Sequence, residues 1–329
     1  MISPNIIEEQ VDRLREKSVF ITGGTGFFGK SFLDVLLKQD RVEDFKITIL
    51  SRDPQKFQTD YPEYRSLGLQ FLEGQVEDFK FPESRFEVIL HFATPADAKM
   101  NVEAPIEMVN TIYRGMIRVL DFASHSGARS VLFSSSGAVY GPQPANLSHL
   151  SEAYTGAPQT TARGSAYGEA KRVAELLGVQ HAKENGYDFK IARCFAFAGK
   201  RLNKKGAFAI GNFIRNACNG DDISVEGDGT SIRSYLYADD LIVWLLKILF
   251  DGKSCEPYNV GSDDSISIRD LAEKVRQTLG SKGTVLVRNK SDLAVPPSRY
   301  VPSIEKAKKE LGLKVWTRLD DSIRLSAEG

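Results

Sequence analysis

Little in this sequence serves cross-linking or metal capture. Its 329 residues include three cysteines, namely Cys194, Cys218 and Cys255, which are odd in number and far apart. Such spacing gives neither a disulfide framework nor a metal knuckle, and it fits a reducing, cytoplasmic compartment. The four histidines are scattered, and none has a neighbour at metal-ligand spacing. An excess of one charge is also missing. Lys and Arg total 43 and Asp and Glu total 43, whereas a protein that tracks nucleic-acid phosphates carries a basic excess. No apolar run is long enough for a bilayer. The longest, LIVWLLKILF at 241–250, is broken by Lys247 and reads as a buried helix, so no membrane partner is expected. The N-terminal stretch MISPNIIEEQVDRLREK is charged and lacks the apolar centre of a secretory leader. There is no internal repeat and no low-complexity segment.

What is present is an ordinary globular balance, 42% apolar and 26% charged. Short β-rich runs, SVFIT (18–22), KITIL (46–50), LQFLEG (69–74), EVILHFA (87–93), SVLFSSS (130–136) and FKIARCFAFAG (189–199), alternate with helical patterns. The helical patterns are GFFGKSFLDVLLKQ, the segment 106–127 and the segment 165–186, which Gly186 stops. Strands alternating with helices predict an α/β fold, a doubly wound parallel sheet of Rossmann type. Beyond residue 196 loops increase, a Gly-Asp-Gly turn appears at 227–229, and SISIRDLAEKVRQTLG reads as a late helix. The expected organisation is a dinucleotide-binding domain over 1–195 and a smaller α/β substrate domain over 196–329, with an interleaved boundary.

ITGGTGFFGK places Gly23, Gly26 and Gly29 between the first strand and a helix. Glycines there allow a tight turn, close backbone approach to a diphosphate and close helix packing, and the helix N-terminus offers free N–H groups to the anion. A glycine triplet alone is a weak signal; its place directly after a strand strengthens it. An acid at the end of the second strand would bind the ribose diol of NAD. Here that strand ends ILSRDPQK, so Ser51 and Arg52 come where the acid is expected, with Lys56 nearby. A hydroxyl, a guanidinium and an ammonium suit a 2′-phosphate, so NADP is favoured over NAD. A solvated loop that leaves Asp53 available is the competing interpretation.

SAYGEAKR sets Tyr167 and Lys171 four apart on one helix face. A free phenol has a pKa of about 10, and a nearby ammonium lowers it toward use as a base. Tyr-x-x-x-Lys alone occurs by chance in many helices. Joined to a strand-end hydroxyl, Ser136, which can hold the same substrate oxygen, the pattern becomes specific.

These motifs in this order, ITGGTGFFG, LHFA, SSSGAVYG, YGEAK, IRSYLYADD and YNVG, resemble the extended short-chain dehydrogenase/reductases of the nucleotide-sugar epimerase/dehydratase family over about residues 17–315. The resemblance implies a tightly held NAD(P) and a nucleoside-diphosphate sugar substrate. Tyr167 would be the base, Lys171 would bind the ribose and tune the phenol, and Ser136 would position the sugar hydroxyl. Further cofactor contacts are implied for Phe27, Phe28, Gln75, Val76 and Phe92. The same holds for Ala93, Thr94, Thr111, Ser134 and Phe195. Ser135, Phe197, Arg233 and Arg299 are the implied substrate residues, the arginines gripping the diphosphate. ILSRDPQK also resembles the NADP-binding strand end of the UDP-N-acetylglucosamine inverting 4,6-dehydratases. The sequence departs from the family pattern at Ala196 and Phe197, at Ile112 and at Gln75.

One further departure bears on the reaction. The resembling dTDP-glucose 4,6-dehydratases have an Asp-Glu pair where this chain has Gly137 and Ala138, and UDP-glucuronate decarboxylases have a glutamate at the second place. With no proton carrier at either, 4-epimerisation or 4-keto reduction is the favoured chemistry. The alternative is a 4,6-dehydratase or a decarboxylase-like enzyme that uses another acid, such as Glu152 or His149. A dinucleotide-sensing protein on the same fold is a remote third reading, since both Tyr167 and Lys171 are kept. The helices at 105–126 and 164–185 resemble those that pair across the family dimer, so a homodimer is expected.

Overall fold

The computed structural model describes residues 1–95, 99–204, 206, 208–290 and 296–328. Its centre is a seven-stranded sheet. The spatial order is Pro257–Val260, Asp188–Cys194, Ser130–Ser136, Val88–His91, Ser18–Thr22, Lys46–Ser51, Gln70–Glu73. Every pairing in it is parallel. Parallel sheets are covered on both faces, so their strands are near-continuous apolar runs. Val19, Phe20 and Ile21 are all buried, as are Val131, Leu132 and Phe133.

One face carries the helices Phe27–Leu36 and Ala238–Asp251, packed on each other, with Pro4–Asp12 against the latter. The other carries Pro105–Ser126 and Ala166–Asn185, also packed as a pair. The chain order reverses between Ser18–Thr22 and Val88–His91, which leaves a crevice at their C-terminal ends, where ligands of open α/β sheets bind.

Over the strand ends lie short ribbons. Ile232–Ser234 is flanked by Ser265–Ser267 and Arg299–Tyr300, Ile223–Val225 pairs with Val285–Val287, and Phe197–Ala198 pairs with Leu236–Tyr237. Their core includes Ile210, Phe213, Leu271, Val275 and Ile323. Between these ribbons the chain returns to the main sheet, supplying the helix Ala238–Asp251 and the edge strand Pro257–Val260.

Three local expectations change. The run 189–199 is not one strand: the sheet strand stops at Cys194, and Phe197–Ala198 crosses to the partner Leu236–Tyr237. The late helix starts at Ile268, because Ser265–Ser267 is paired with Ile232–Ser234 and the Ser267 hydroxyl caps the helix by accepting from the Asp270 amide at 3.0 Å. The helix Pro4–Asp12 was not foreseen; it buries Ile7 and Val11 against the core. Lys205, within the basic run 200–206, lies outside the described residues. No described helix is long and apolar enough to cross a membrane.

Candidate active site

The glycine turn is built for close approach. Gly23 has φ +72°, and a Cβ there would stand 2.5 Å from the Ala93 nitrogen; one on Gly29 would stand 2.2 Å from the Gly24 carbonyl oxygen. Only glycine fits either place. Gly26 immediately precedes the helix Phe27–Leu36, whose first amides have no acceptor within the helix. Across the crevice, Thr22 Oγ1 accepts from the Ala93 amide at 3.2 Å and lies 2.7 Å from His91 Nδ1. Burial, with Lys171 nearby, pushes the His91 pKa down to about 3, so the ring stays neutral. Thr94 Oγ1 is buried with no hydrogen-bond partner among the described residues. A cradle that excludes Cβ atoms, free helix amides and an unsatisfied hydroxyl beside them fit a dinucleotide diphosphate.

The end of the second strand carries the exposed cations Arg52 and Lys56. Asp53 is not free there: its carboxylate accepts from the Lys56 amide at 2.8 Å and caps the helix Pro54–Asp60. The Ser51 hydroxyl accepts from the Asp53 amide at 3.2 Å. Lys56 turns along its own helix to Asp60, 2.6 Å away, which leaves Arg52 as the exposed cation of the strand end. Gln75 and Thr111 line one shallow depression with Asn110 and Arg114. Val76 abuts Gly115 of the helix Pro105–Ser126, where a Cβ would come within 3.0 Å of its side chain.

The three serines alternate along their strand, as a period of two requires. Ser134 donates to the His91 carbonyl at 3.0 Å. Ser135 turns to the other side and donates to Glu175 at 2.5 Å, so it does not reach the cleft with its neighbours. The Ser136 hydroxyl accepts from the Ala138 amide at 3.1 Å and lies 3.4 Å from the Tyr300 hydroxyl.

Tyr167 and Lys171 occupy one face of the helix Ala166–Asn185, whose start is fixed by Asn101 accepting from the Tyr167 amide at 2.9 Å. Lys171 is 1% exposed. Its Nζ donates to the Ser134 carbonyl at 2.7 Å, sits over the Phe133 ring at 4.5 Å and is 5.8 Å from the Tyr167 ring centre. Burial pulls the amine down to about 7. Burial also pushes the Tyr167 phenol up to about 12, against a hydrogen bond with Ser136. This corrects the expectation that the ammonium lowers the phenol. Loss of water dominates both groups, disfavouring the ammonium as it disfavours the phenolate.

Glu175 continues the same helix face and was missed in the sequence. It is 8% exposed and accepts from Arg193 at 2.7 and 3.0 Å. The Arg193 guanidinium lies over Tyr140, whose hydroxyl donates to Asn259 at 2.7 Å. The Asn259 amide donates to Glu152 at 2.8 Å. Glu152 is thus tied to the edge strand, and His149 lies 3.0 Å from the Asp263 carbonyl. Both side chains serve that junction.

Phe195 and Phe197 part company. Phe197 joins Phe27 and Phe28 in an aromatic cluster beside the glycine turn, with Phe92 edge-on to Phe28 at 5.8 Å. Phe195 lies 4.6 Å from Tyr300. In the ribbon, Tyr300 is in register with Arg233 and Arg299 with Ile232. Side chains alternate along a strand, so Arg233 shares a face with Tyr300 while Arg299 falls on the other, and the two arginines do not converge. Tyr300 was also missed, although its neighbour Arg299 is among the implied substrate residues.

Residues 19–261 match the model of the NAD dependent epimerase/dehydratase family. UDP-glucuronic acid decarboxylase 6 of Arabidopsis thaliana is 29% identical over 315 residues, covering 94% of this chain and 88% of that one. The UDP-N-acetylglucosamine 4-epimerase of Methanobrevibacter ruminantium, solved with UDP-N-acetylmuramic acid, superimposes with a TM-score of 0.82 at 21% identity, covering 95% and 98% of the two chains. The UDP-glucose 4-epimerase of Thermotoga maritima, solved with UDP-glucose, gives 0.79 at 22% identity over 94% and 97%. At those identities the two structures bear on the fold, which they share with this chain.

Proposed function

This chain belongs to the NAD dependent epimerase/dehydratase family, a family of nicotinamide-dependent enzymes, and we propose that it oxidises C4 of a nucleoside-diphosphate sugar and that the substrate is a uronic acid which loses its carboxylate. The observation that carries the first part is the convergence of Ser136, Tyr167 and Lys171 at the strand ends beside the glycine turn. What a bound nicotinamide supplies is acceptance of hydride and, when oxidised, a positive ring charge. Ser136 would orient the carbinol and Lys171 would bind the ribose, while Tyr167, whose phenolate a positive charge beside it would favour against the effect of burial, would take the carbinol O–H proton as the ketone forms and return one when the carbinol is restored.

The second part is supported by the decarboxylase relatives and by chemistry. Dehydration needs a base for the C5 proton and an acid for the leaving hydroxyl, and Gly137 and Ala138 supply neither. A carboxylate on C5 lies β to a C4 ketone, so its bond breaks as the electron pair moves into the carbonyl, and no base is required. The missing acids thus weigh against dehydration far more than against decarboxylation. They do favour one other reading, 4-epimerisation or 4-keto reduction, in which the carbon skeleton is untouched.

NADP is the proposed dinucleotide, with Arg52 and Ser51 at its 2′-phosphate, since Asp53 is occupied as a cap. Arg233 is the proposed diphosphate ligand. A dinucleotide unit to about residue 195 and a substrate unit after it, interleaved through 238–260, is the proposed division. Ile106, Tyr113, Val173 and Leu176 are exposed apolar residues on the two long helices, which supports a homodimer through that face; a cytoplasmic location is proposed with it on the scattered, unpaired cysteines. The test is incubation of the purified protein with nucleotide sugars that include UDP-glucuronic acid, read by mass spectrometry. A nucleotide pentose is expected and should vanish in Tyr167→Phe. An isomer of unchanged mass, or a product formed only with stoichiometric NADPH, would move the assignment to the second reading.

A further inference from the structure

We propose that Tyr300 is a catalytic residue of this site, the phenol that gives a proton to the sugar carbon next to the oxidised one. The inference rests on the decarboxylation reading above and adds the acid that reading lacks.

The placement comes from three contacts. The Tyr300 hydroxyl lies 3.4 Å from Ser136 Oγ and 3.4 Å from the Cys194 carbonyl. Both are at the long end for hydrogen bonds, so the O–H, which donates to the Cys194 carbonyl, is only weakly held there and can be given up to a closer acceptor. Ser136 also lies close enough to the Tyr167 phenol to oppose the rise in its pKa, so both phenols neighbour one serine hydroxyl. The Tyr300 ring lies 4.6 Å from Phe195, and Phe195 fills the space over Gly137, where a Cβ would stand 2.7 Å from its ring. The room that a side chain at 137 would need is therefore taken by the ring on which Tyr300 rests.

The phenol is also held firmly. Tyr300 belongs to a strand in register with Arg233. The next residue, Val301, is fixed by its amide donating to Gln143 at 3.0 Å and its carbonyl accepting from the Leu150 amide at 2.9 Å. Burial raises the Tyr300 pKa well above the ordinary tyrosine range, with Tyr167 adding to the rise, so the group is protonated at neutral pH and acts as a donor.

The step balances. With C4 a ketone, the bond between C5 and the carboxylate carbon breaks, carbon dioxide leaves, and the electron pair passes through C5 into the C4 oxygen. The Tyr300 O–H bond then breaks as a C5–H bond forms, and the enolate returns to the ketone. The phenolate recovers a proton from water, which is the proton that converting a carboxylate to C–H and carbon dioxide consumes.

The experiment runs wild type and Tyr300→Phe with UDP-glucuronic acid in D2O. Wild type should place one solvent deuterium at C5 with a single configuration. Tyr300→Phe keeps the ring on Phe195. It should reduce the cofactor in a single turnover within about a factor of two of wild type, yet form pentose about 100-fold more slowly, with mixed configuration at C5. Equal rates and equal stereochemistry in the variant overturn the role of Tyr300 alone. Turnover by wild type with no deuterium on carbon, or no turnover at all, overturns the decarboxylation reading and this inference with it.

Discussion

Gly137 and Phe195 are sterically matched: a Cβ built on Gly137 would meet the Phe195 ring at 2.7, 2.8 and 2.8 Å. The ring is flanked by Tyr300 at 4.6 Å and Tyr140 at 6.3 Å and cannot swing aside freely. The missing carboxylate at 137 is therefore a packing requirement of this site as well as a chemical one.

Gly137→Asp should fail as a route to dehydratase chemistry. The new side chain has to displace an aromatic ring from a packed cluster, a strain of about 1–3 kcal/mol, and Tyr300 moves with that ring. Urea denaturation should show the loss of stability, and pentose formation should fall with it. A variant as stable as the parent that gains 4-keto-6-deoxy product would refute the packing argument.

Lys171 predicts a pH dependence of stability. The unfolded lysine keeps its proton up to its ordinary value of 10.5, while the folded one releases it near 7. Between those values the unfolded chain binds the extra proton, so stability of the ligand-free protein rises with pH, by up to about 1.4 kcal/mol per unit for this one group. Below pH 7 the folded state carries a buried charge and the gain is absent. Lys171→Met removes the group, so its urea midpoint should vary less than that of wild type between pH 7 and 9. Parallel curves for the two proteins would show that the amine is not buried as described.

The main sheet was legible because its strands are short apolar runs set between helices, and the glycine turn because Gly23, Gly26 and Gly29 sit at one junction. Tyr167, Lys171 and Ser136 were legible because local spacing puts two on one helix face and one at a strand end. Glu175 and Tyr300 were not. Each acquires its meaning from a residue remote in sequence, Arg193 for the first and Ser136 for the second; Glu175 continues the Tyr167–Lys171 spacing, but that spacing alone gives it no role. The electrostatics were misjudged for a related reason. Sequence distance reports that Lys171 is near Tyr167, but it carries no information on the Ser134 carbonyl that binds the amine or on the water that burial removes.

Glu175→Ala should unfold the site from beneath. It strips Arg193 and Ser135 of their shared acceptor and leaves a guanidinium in a mostly buried place, 15% exposed. Removing one partner of such a pair costs about 3–5 kcal/mol. The melting temperature should drop sharply, and hydrogen exchange should rise first in the strand Ser130–Ser136 and the helix Ala166–Asn185. A loss within ordinary surface-mutation range would mean that the pair is solvated in solution.

Arg52→Glu tests the choice of dinucleotide. Arg52 is exposed at the end of the second strand, with Asp53 committed to the Lys56 amide and Lys56 to Asp60. A 2′-phosphate there would meet the guanidinium, and charge-assisted hydrogen bonds of about 1.5–3 kcal/mol correspond to a tenfold or greater gain for NADP over NAD. Reversing the charge removes that attraction and adds repulsion, while a ribose diol donates hydrogen bonds to a carboxylate. Titration of both dinucleotides by calorimetry should show NADP weakened by at least about tenfold and NAD unchanged or tightened. If wild type binds the two equally, or the variant weakens both alike, the cation at this strand end does not read the phosphate and the preference has to be sought near Gln75 and Thr111 instead.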